Sequence, residues 1–217
     1  ETAFKAREPF LLTHPEKSKI GVLLVHGFLA SPAELSDYGE HIHSKGFNVL
    51  GVRLSGHGTS PYDLNNRKWE DWLDSVRRGF EILSSFAQEI IIVGFSAGGS
   101  LALLFASEKN ENLKAIISVC AAIEVQDKAI HLAPLMNIVN KIASLLPKID
   151  GVMNYKRSDT AHGDTNYQSI PIQALTELKA LMKESRKKLK EVETPILIIQ
   201  SEKDTVVEPD SANIIFE

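Results

Sequence analysis

The sequence predicts an α/β fold: a mostly parallel central sheet with helices on both faces and one small helical insertion. Three observations carry that expectation. Short continuous apolar runs, such as IGVLLVHGF at 20–28, have the all-round hydrophobicity of strands buried on both sides. These runs alternate with segments of helical period, an order that builds crossover connections and a parallel sheet. The alternation is interrupted once, over 123–170. With 217 residues, 43% of them hydrophobic, the chain has apolar mass for one sizeable core, so a single domain over 1–217 is expected.

The elements follow in order. After the first strand run, Ser31 can cap a helix with Pro32 at its first position and Glu34 reaching back to close a capping box. That helix should run to Lys45, with Gly46 as its stop. Phe47 to Val52 reads as a strand, and LSGHGTSPYDLNN as a loop rich in turn formers. Between Trp69 and Phe86, Trp69, Trp72, Leu73, Val76, Phe80 and Leu83 recur at three- and four-residue steps and share one helix face, which makes the tryptophans core residues. Ile90 to Phe95 then reads as strand, Ala97 to Ser107 as helix and Leu113 to Ala122 as strand. The insertion holds one amphipathic stretch, IHLAPLMNIVNKIASLLPKI, and a polar, strandless piece through Tyr167. Ile172 to Leu189 resumes as a helix ending in RKKLK, and Thr194 to Gln200 as a strand.

Charge and composition exclude several classes. Lys and Arg number 24 against 28 Asp and Glu, so the net charge of −4 offers no basic excess for a phosphate backbone, and nucleic acid is not an expected partner. The lone Cys120 lies in the run IISVCAAI and reads as a buried, inert thiol; no Cys/His spacing suggests zinc, and no metal or organic cofactor is expected. No apolar stretch approaches the about 18 residues of a membrane span. Residues 1–20 lack a signal-peptide pattern. A cytoplasmic chain without membrane insertion is expected, although Glu1 in place of Met leaves room for a trimmed start.

The chemistry concentrates at Gly94-Phe95-Ser96-Ala97-Gly98, a G-x-S-x-G pattern placed where a buried strand meets a helix. A nucleophile elbow needs that context, because the tight turn strains the serine backbone and thrusts its Oγ out at the end of the sheet. A serine hydroxyl needs a base, an orienting acid and oxyanion donors. The Ala97 amide at the helix N-terminus and the Phe28 amide in the loop after the first strand are candidate donors. His26 either stiffens that loop or takes part directly. Asp204, at the turn after the last strand, is a better acid candidate than Glu202.

The segments HGF at 26–28, GHG at 56–58, GFSAGG at 94–99 and the D-x-x-V-x-P of 204–209 resemble the α/β-hydrolase superfamily. The likeness is to bacterial carboxylesterases and monoacylglycerol lipases, with PDSANII at 209–215 especially similar. It spans nearly the whole chain, weakly in 123–170, which corresponds to the family's cap. The resemblance implies a serine carboxylic ester hydrolase acting through an acyl-enzyme on short- to medium-chain esters or monoacylglycerols. Ser96 would be its nucleophile, Asp204 its acid, and Phe28 and Ala97 its oxyanion donors. His57 matches a structural loop motif and not the base.

The chain departs from the family at the base, which the resemblance places a few tens of residues beyond the acid. The histidines are 14, 26, 41, 43, 57, 131 and 162, and none follows Asp204. His131 and His162 lie in the cap, where a base would have to meet both serine and acid. The simplest expectation is a truncated chain with the base past Glu217, a hydrophobic sheet edge left bare, and little activity in a chain ending there. The cap positions Ile130, Leu132, Leu135, Met136, Ile138, Val139, Ile142, Leu145 and Leu146 can line an acyl pocket, pack on the core, or dock on lipid; only Lys128, Lys141 and Lys148 add positive charge for the last. Alternatives are thioester or amide cleavage on the same elbow, or a binding protein that kept the fold and lost the base.

Overall fold

The computed structural model describes residues 7–16, 18–127, 130, 132–137, 155–157, 167 and 169–217. Its frame is a six-stranded sheet of β1 (Phe10–Leu12), β2 (Ser18–Val25), β3 (Asn48–Val52), β4 (Ala87–Phe95), β5 (Leu113–Val119) and β8 (Ile196–Ile199), in the order β1-β3-β2-β4-β5-β8. Five strands are parallel, and β1 closes one edge antiparallel to β3. β1 is too short to show a period in sequence, and the sequence reading missed it.

Strand register decides where loops gather. Val25 pairs with Val52 and Gly94, Phe95 with Val119, and Val119 with Ile199. The parallel strands therefore end level, and every segment leaving them emerges at one sheet edge. From β2 the chain crosses first to β3 on one side and then to β4 on the other, so the direction of winding reverses between β2 and β4. In open α/β sheets a crevice forms at such a switch point.

Alternating strand residues build two cores. Leu23, Val25, Leu50, Val52, Ile90, Ile92 and Ile116 face α3 (Trp69–Ser84), α4 (Ala97–Ala106) and α5 (Ile172–Lys188), preceded in the chain by α1 (Ser36–Ser44) and α2 (Pro61–Asn65). Val22, Leu24, Val49 and Val93 form the smaller core on the opposite face, with Phe10 and Ile42 against it. Trp72 is buried in the larger core and Trp69 packs against it, as their helical spacing predicts. On the smaller-core face, Leu197 and Ile199 of the edge strand β8 are 55% and 46% exposed. Beside β8, Ile196, Ile198, Leu189 and α6 (Ser211–Phe216) line a groove of about 780 Å³.

Several boundaries differ from expectation for local reasons. The helix foreseen from Pro32 opens as a 3₁₀ turn over Pro32–Leu35, becoming α1 only at Ser36. Its stop holds, since Gly46 takes φ +94°. The loop at 54–66 contains α2, whose start is a Ser-Pro pair: the Asp63 amide donates to Ser60 Oγ at 3.1 Å. The strand expected to Ala122 ends at Val119 because Cys120 takes φ +45° and turns the chain. The insertion is not strandless: β6 (Tyr155–Arg157) pairs antiparallel with β7 (Ser169–Pro171). The α6 helix was also not foreseen.

Most of the expected cap lies outside the described residues, including His131, His162, Lys128, Lys141, Lys148, Ile138, Val139, Ile142, Leu145 and Leu146. Of its described apolar positions, Ile130 is buried in the core, Met136 is half-buried, and Leu132 and Leu135 are exposed. Among the described residues no helix is long and apolar enough to cross a membrane.

Phe105 is buried at the centre of the larger core with its ring centroid 4.9 Å from that of Phe80. Phe105→Ala is expected to lower unfolding free energy by about 3–5 kcal/mol. A urea titration that leaves the midpoint unchanged would remove Phe105 from the core.

Candidate active site

The sequence-selected residues sit on segments that leave the same edge of the sheet: Phe28 after β2, Ser96 and Ala97 after β4, and Asp204 after β8. Ser96 sits between β4 and α4 at φ 53°, ψ −117°, a region L-residues rarely occupy, and such a conformation costs about 1–3 kcal/mol. The surroundings hold it there. Its amide donates to the Val119 carbonyl at 2.9 Å, and its carbonyl accepts from Gly99 at 2.9 Å and Ala122 at 3.1 Å.

The flanking glycines are required by close approach. A Cβ on Gly98 would lie 2.2 Å from the Val25 carbonyl oxygen and 2.6 Å from that of His26; one on Gly94 would lie 2.3 Å from the Gly98 oxygen. Backbone cannot yield as a flexible side chain can. The elbow is thus wedged against the end of β2, and the loop after β2 runs beside it, where a Cβ on Gly27 would be in ordinary contact at 3.5 Å from Ser96 Cβ.

Two amides near Ser96 are candidate oxyanion donors. Ala97 is the first residue of α4, so its N–H has no partner within the helix and lies at the positive end of the helix dipole. The orientation of Phe28 is set through the peptide before it. His26 Nε2 accepts from the Leu54 amide at 3.2 Å, so the proton is on Nδ1, which donates to the Gly27 carbonyl at 2.9 Å. In a trans peptide C=O and N–H point opposite ways, so holding the Gly27 carbonyl on one side turns the Phe28 N–H to the other. His26 is therefore a loop strut, the structural alternative of the two readings.

The strut works only with neutral imidazole. Burial, the largest influence, outweighs the bond to the Gly27 carbonyl and lowers His26 from 6.5 to about 4, with Arg53 adding to the fall. His57 is also fully buried and pushed well below its ordinary value, first by desolvation and then by His26. Its ring packs edge-on against Trp72 at 5.4 Å and Phe28 at 6.0 Å. That position, behind the oxyanion loop, fits the structural role expected of the GHG motif.

Asp204 follows β8 and is half-buried in an otherwise exposed turn. Its Oδ1 accepts from the Val206 and Val207 amides at 2.9 and 3.0 Å. Burial pushes its pKa up, and those amides, the Cys120 thiol and the Gln200 amide outweigh the push, so the carboxyl stays below its ordinary value. Glu202 is exposed. Cys120 is half-buried and not fully buried as expected, and burial raises its pKa, in keeping with an unreactive thiol.

Tyr167 was also missed. Its amide donates to Leu29 O at 3.1 Å, its hydroxyl accepts from the Thr59 amide at 2.7 Å and donates to Gly56 O at 2.9 Å. Tyr167, at the far end of the insertion, thus ties the loop after β2 through its backbone amide to the loop after β3 through its hydroxyl; side-chain partners 108 and 111 residues away leave no local signal. Among the described residues no histidine bonds to Ser96 or Asp204. His14 and His43 stack at 4.2 Å beside Asn48, at the opposite end of the sheet.

A family model described as serine aminopeptidase, S33, matches residues 16–217. A thermostable monoacylglycerol lipase of Bacillus sp. (strain H-257) is 32% identical over 210 residues, covering 97% of this chain and 79% of that protein. A carboxylesterase of Bacillus subtilis (strain 168) is 24% identical over 210 residues, covering 96% and 80%. A solved structure from work on the metagenome-derived lipolytic enzymes LipS and LipT superposes with a TM-score of 0.79 at 25% identity, covering 97% of this chain and 82% of that one.

Gly98→Ala is expected to cost about 3 kcal/mol or more, because its methyl group meets carbonyl oxygens that cannot move aside. Soluble protein with an unshifted thermal midpoint would contradict the close approach. The His26 pKa sets a second expectation. The unfolded chain takes up the proton near 6.5 and the folded one only near 4. Stability is then full above pH 6.5 and declines as pH falls toward 4, by about 3 kcal/mol from this residue. His26→Gln should flatten the urea midpoint across that window; an equal slope in both proteins would place the titration elsewhere.

Proposed function

Because the chain belongs to the serine aminopeptidase S33 family, within the α/β-hydrolases, we propose that it is a serine carboxylic ester hydrolase with Ser96 as nucleophile, Asp204 as acid, and Phe28 and Ala97 as oxyanion donors. The observation that carries the site assignment is the strained Ser96 backbone at the head of α4, wedged beside the oxyanion loop at the switch point of the sheet. The monoacylglycerol lipase and carboxylesterase among its relatives support ester bonds as the target class, and short- to medium-chain esters or monoacylglycerols are the proposed substrates.

In the proposed reaction Ser96 Oγ attacks the ester carbonyl as a base takes its proton. The carbonyl oxygen gains negative charge and rests on the Phe28 and Ala97 amides, the arrangement that stabilises a tetrahedral oxyanion. Collapse expels the alcohol, which receives the proton, and leaves an acyl-serine. Water, deprotonated by the same base, repeats the path and frees the acid. Asp204 serves as orienter, not as proton carrier: its bonds favour the ionised form, and that negative charge stabilises a protonated base beside it. No step calls for a metal or organic cofactor.

The test is an intact-mass measurement after fluorophosphonate treatment, with hydrolysis of p-nitrophenyl esters and monoacylglycerols in parallel. One adduct is expected, absent from Ser96→Ala, with ester turnover lost in that variant. Asp204→Asn should retain folding and lose about 10³–10⁴-fold in kcat. An adduct that persists in Ser96→Ala, or turnover untouched by both substitutions, would defeat the assignment. Hydrolysis confined to amide substrates would move the chain to the peptidase side of its family.

A further inference from the structure

Glu34 has a partner other than the one its sequence pattern predicts. As the far half of a capping box it should reach back to the Ser31 amide, and Ser31 should cap the following turn. Ser31 makes no side-chain capping bond, and its Oγ is buried without a partner. The Glu34 carboxylate instead accepts from the Gly27 N–H, at 2.8 Å from Oε2. That oxygen would lie 3.3 Å from a Cβ on Gly27, the same virtual atom that stands 3.5 Å from Ser96 Cβ.

We propose that Glu34 is a positioning residue for the oxyanion site, holding the Gly27 backbone so that the next amide, Phe28 N–H, stays turned toward Ser96. This rests on the esterase reading above. The argument runs through two successive peptide units. His26 Nδ1 holds the C=O of the Gly27–Phe28 peptide. Glu34 holds the N–H of the His26–Gly27 peptide. Between the two lie only the φ and ψ of Gly27, and glycine has more freedom at those angles than any other residue. With one peptide pinned, Gly27 could still swing the other; with both pinned, the Phe28 amide has a fixed direction. Glu34 is itself carried on a short, stiff turn, with Pro32 at its head and its amide bonded to Ser31 O at 3.0 Å.

The charge makes the placement informative. A carboxylate near a developing oxyanion opposes catalysis by simple Coulomb repulsion, so a charge serving no purpose there would be a liability. Its bond to an N–H is correspondingly stronger than a neutral one. Glutamine separates the two effects, since it keeps an acceptor oxygen at the same reach and removes the charge. Aspartate does the opposite, keeping the charge and losing the reach.

The experiment uses the protein expressed from its complete natural reading frame. It measures steady-state ester kinetics, inhibition by a trifluoromethyl ketone whose hemiketal oxygen occupies the oxyanion site, and thermal midpoints. Glu34→Ala is expected to lower kcat about 10- to 100-fold with KM within about twofold, and to weaken the ketone in parallel, with the midpoint little changed. Glu34→Gln should stay within about threefold of the parent. If the alanine variant does not fold, Glu34→Asp carries the same expected loss. Full kcat in Glu34→Ala or Glu34→Asp would overturn the proposal, as would losses in kcat that only follow losses in thermal midpoint. A parent that reacts with fluorophosphonate while Glu34→Ala matches it removes the tether alone. A folded parent that neither reacts nor hydrolyses esters removes the esterase reading, and the tether with it.

Discussion

The contact between the backbone of Gly98 and the carbonyls of Val25 and His26 fixes how close α4 can come to the end of β2. That one approach sets the rest of the site. It places the head of a helix, with its orphan Ala97 amide, against the loop that follows β2. It forces Ser96 into a positive-φ turn, because the chain has a single residue in which to reverse from strand to helix. A side chain at Gly98 would separate the two elements and remove the site without touching any residue with a chemical role.

Holding that geometry requires polar groups inside the apolar core, and the structure handles them by keeping them neutral or bonded. His26 and His57 are buried side by side behind the loop. Two imidazolium ions there would repel each other and lose their hydration, so burial holds both rings uncharged. A neutral His26 can accept at one nitrogen and donate at the other, and it needs both functions to join Leu54 to Gly27. Protonation would abolish the acceptor. The ring that joins Leu54 to Gly27 is thereby also a point at which acid weakens the fold.

Much of this was legible in the sequence. The period-free apolar runs gave the parallel strands, because burial on both faces removes alternation; the helical spacing from Trp69 gave α3; G-x-S-x-G at a strand–helix junction gave the elbow. What escaped was of two physical kinds. Short elements such as β1, α2 and α6 carry too few residues for a period to emerge. Contacts between residues far apart in sequence leave no local mark, as with the Tyr167 hydroxyl on Thr59 and Gly56. Glu34 shows a third case. S-x-x-E is a real helix-start pattern, but a free glycine amide seven residues back was in reach, and the tertiary partner won over the local one.

Strain at this edge of the sheet follows from the same geometry. Among the described residues four non-glycines take positive φ, and Leu29, Ser96 and Cys120 are three of them, after β2, β4 and β5. Each is anchored through a backbone group: the Leu29 carbonyl accepts from Tyr167, the Ser96 amide donates to Val119, and the Cys120 amide donates to Ile199. Parallel strands that end level leave their loops crowded along one line, so each must turn sharply to avoid its neighbour. The turns cost conformational energy, and the sheet and core beneath supply the bonds that hold them. Leu29, Ser96 and Cys120 are displayed along one line because they are the residues at which three neighbouring strands are forced to turn.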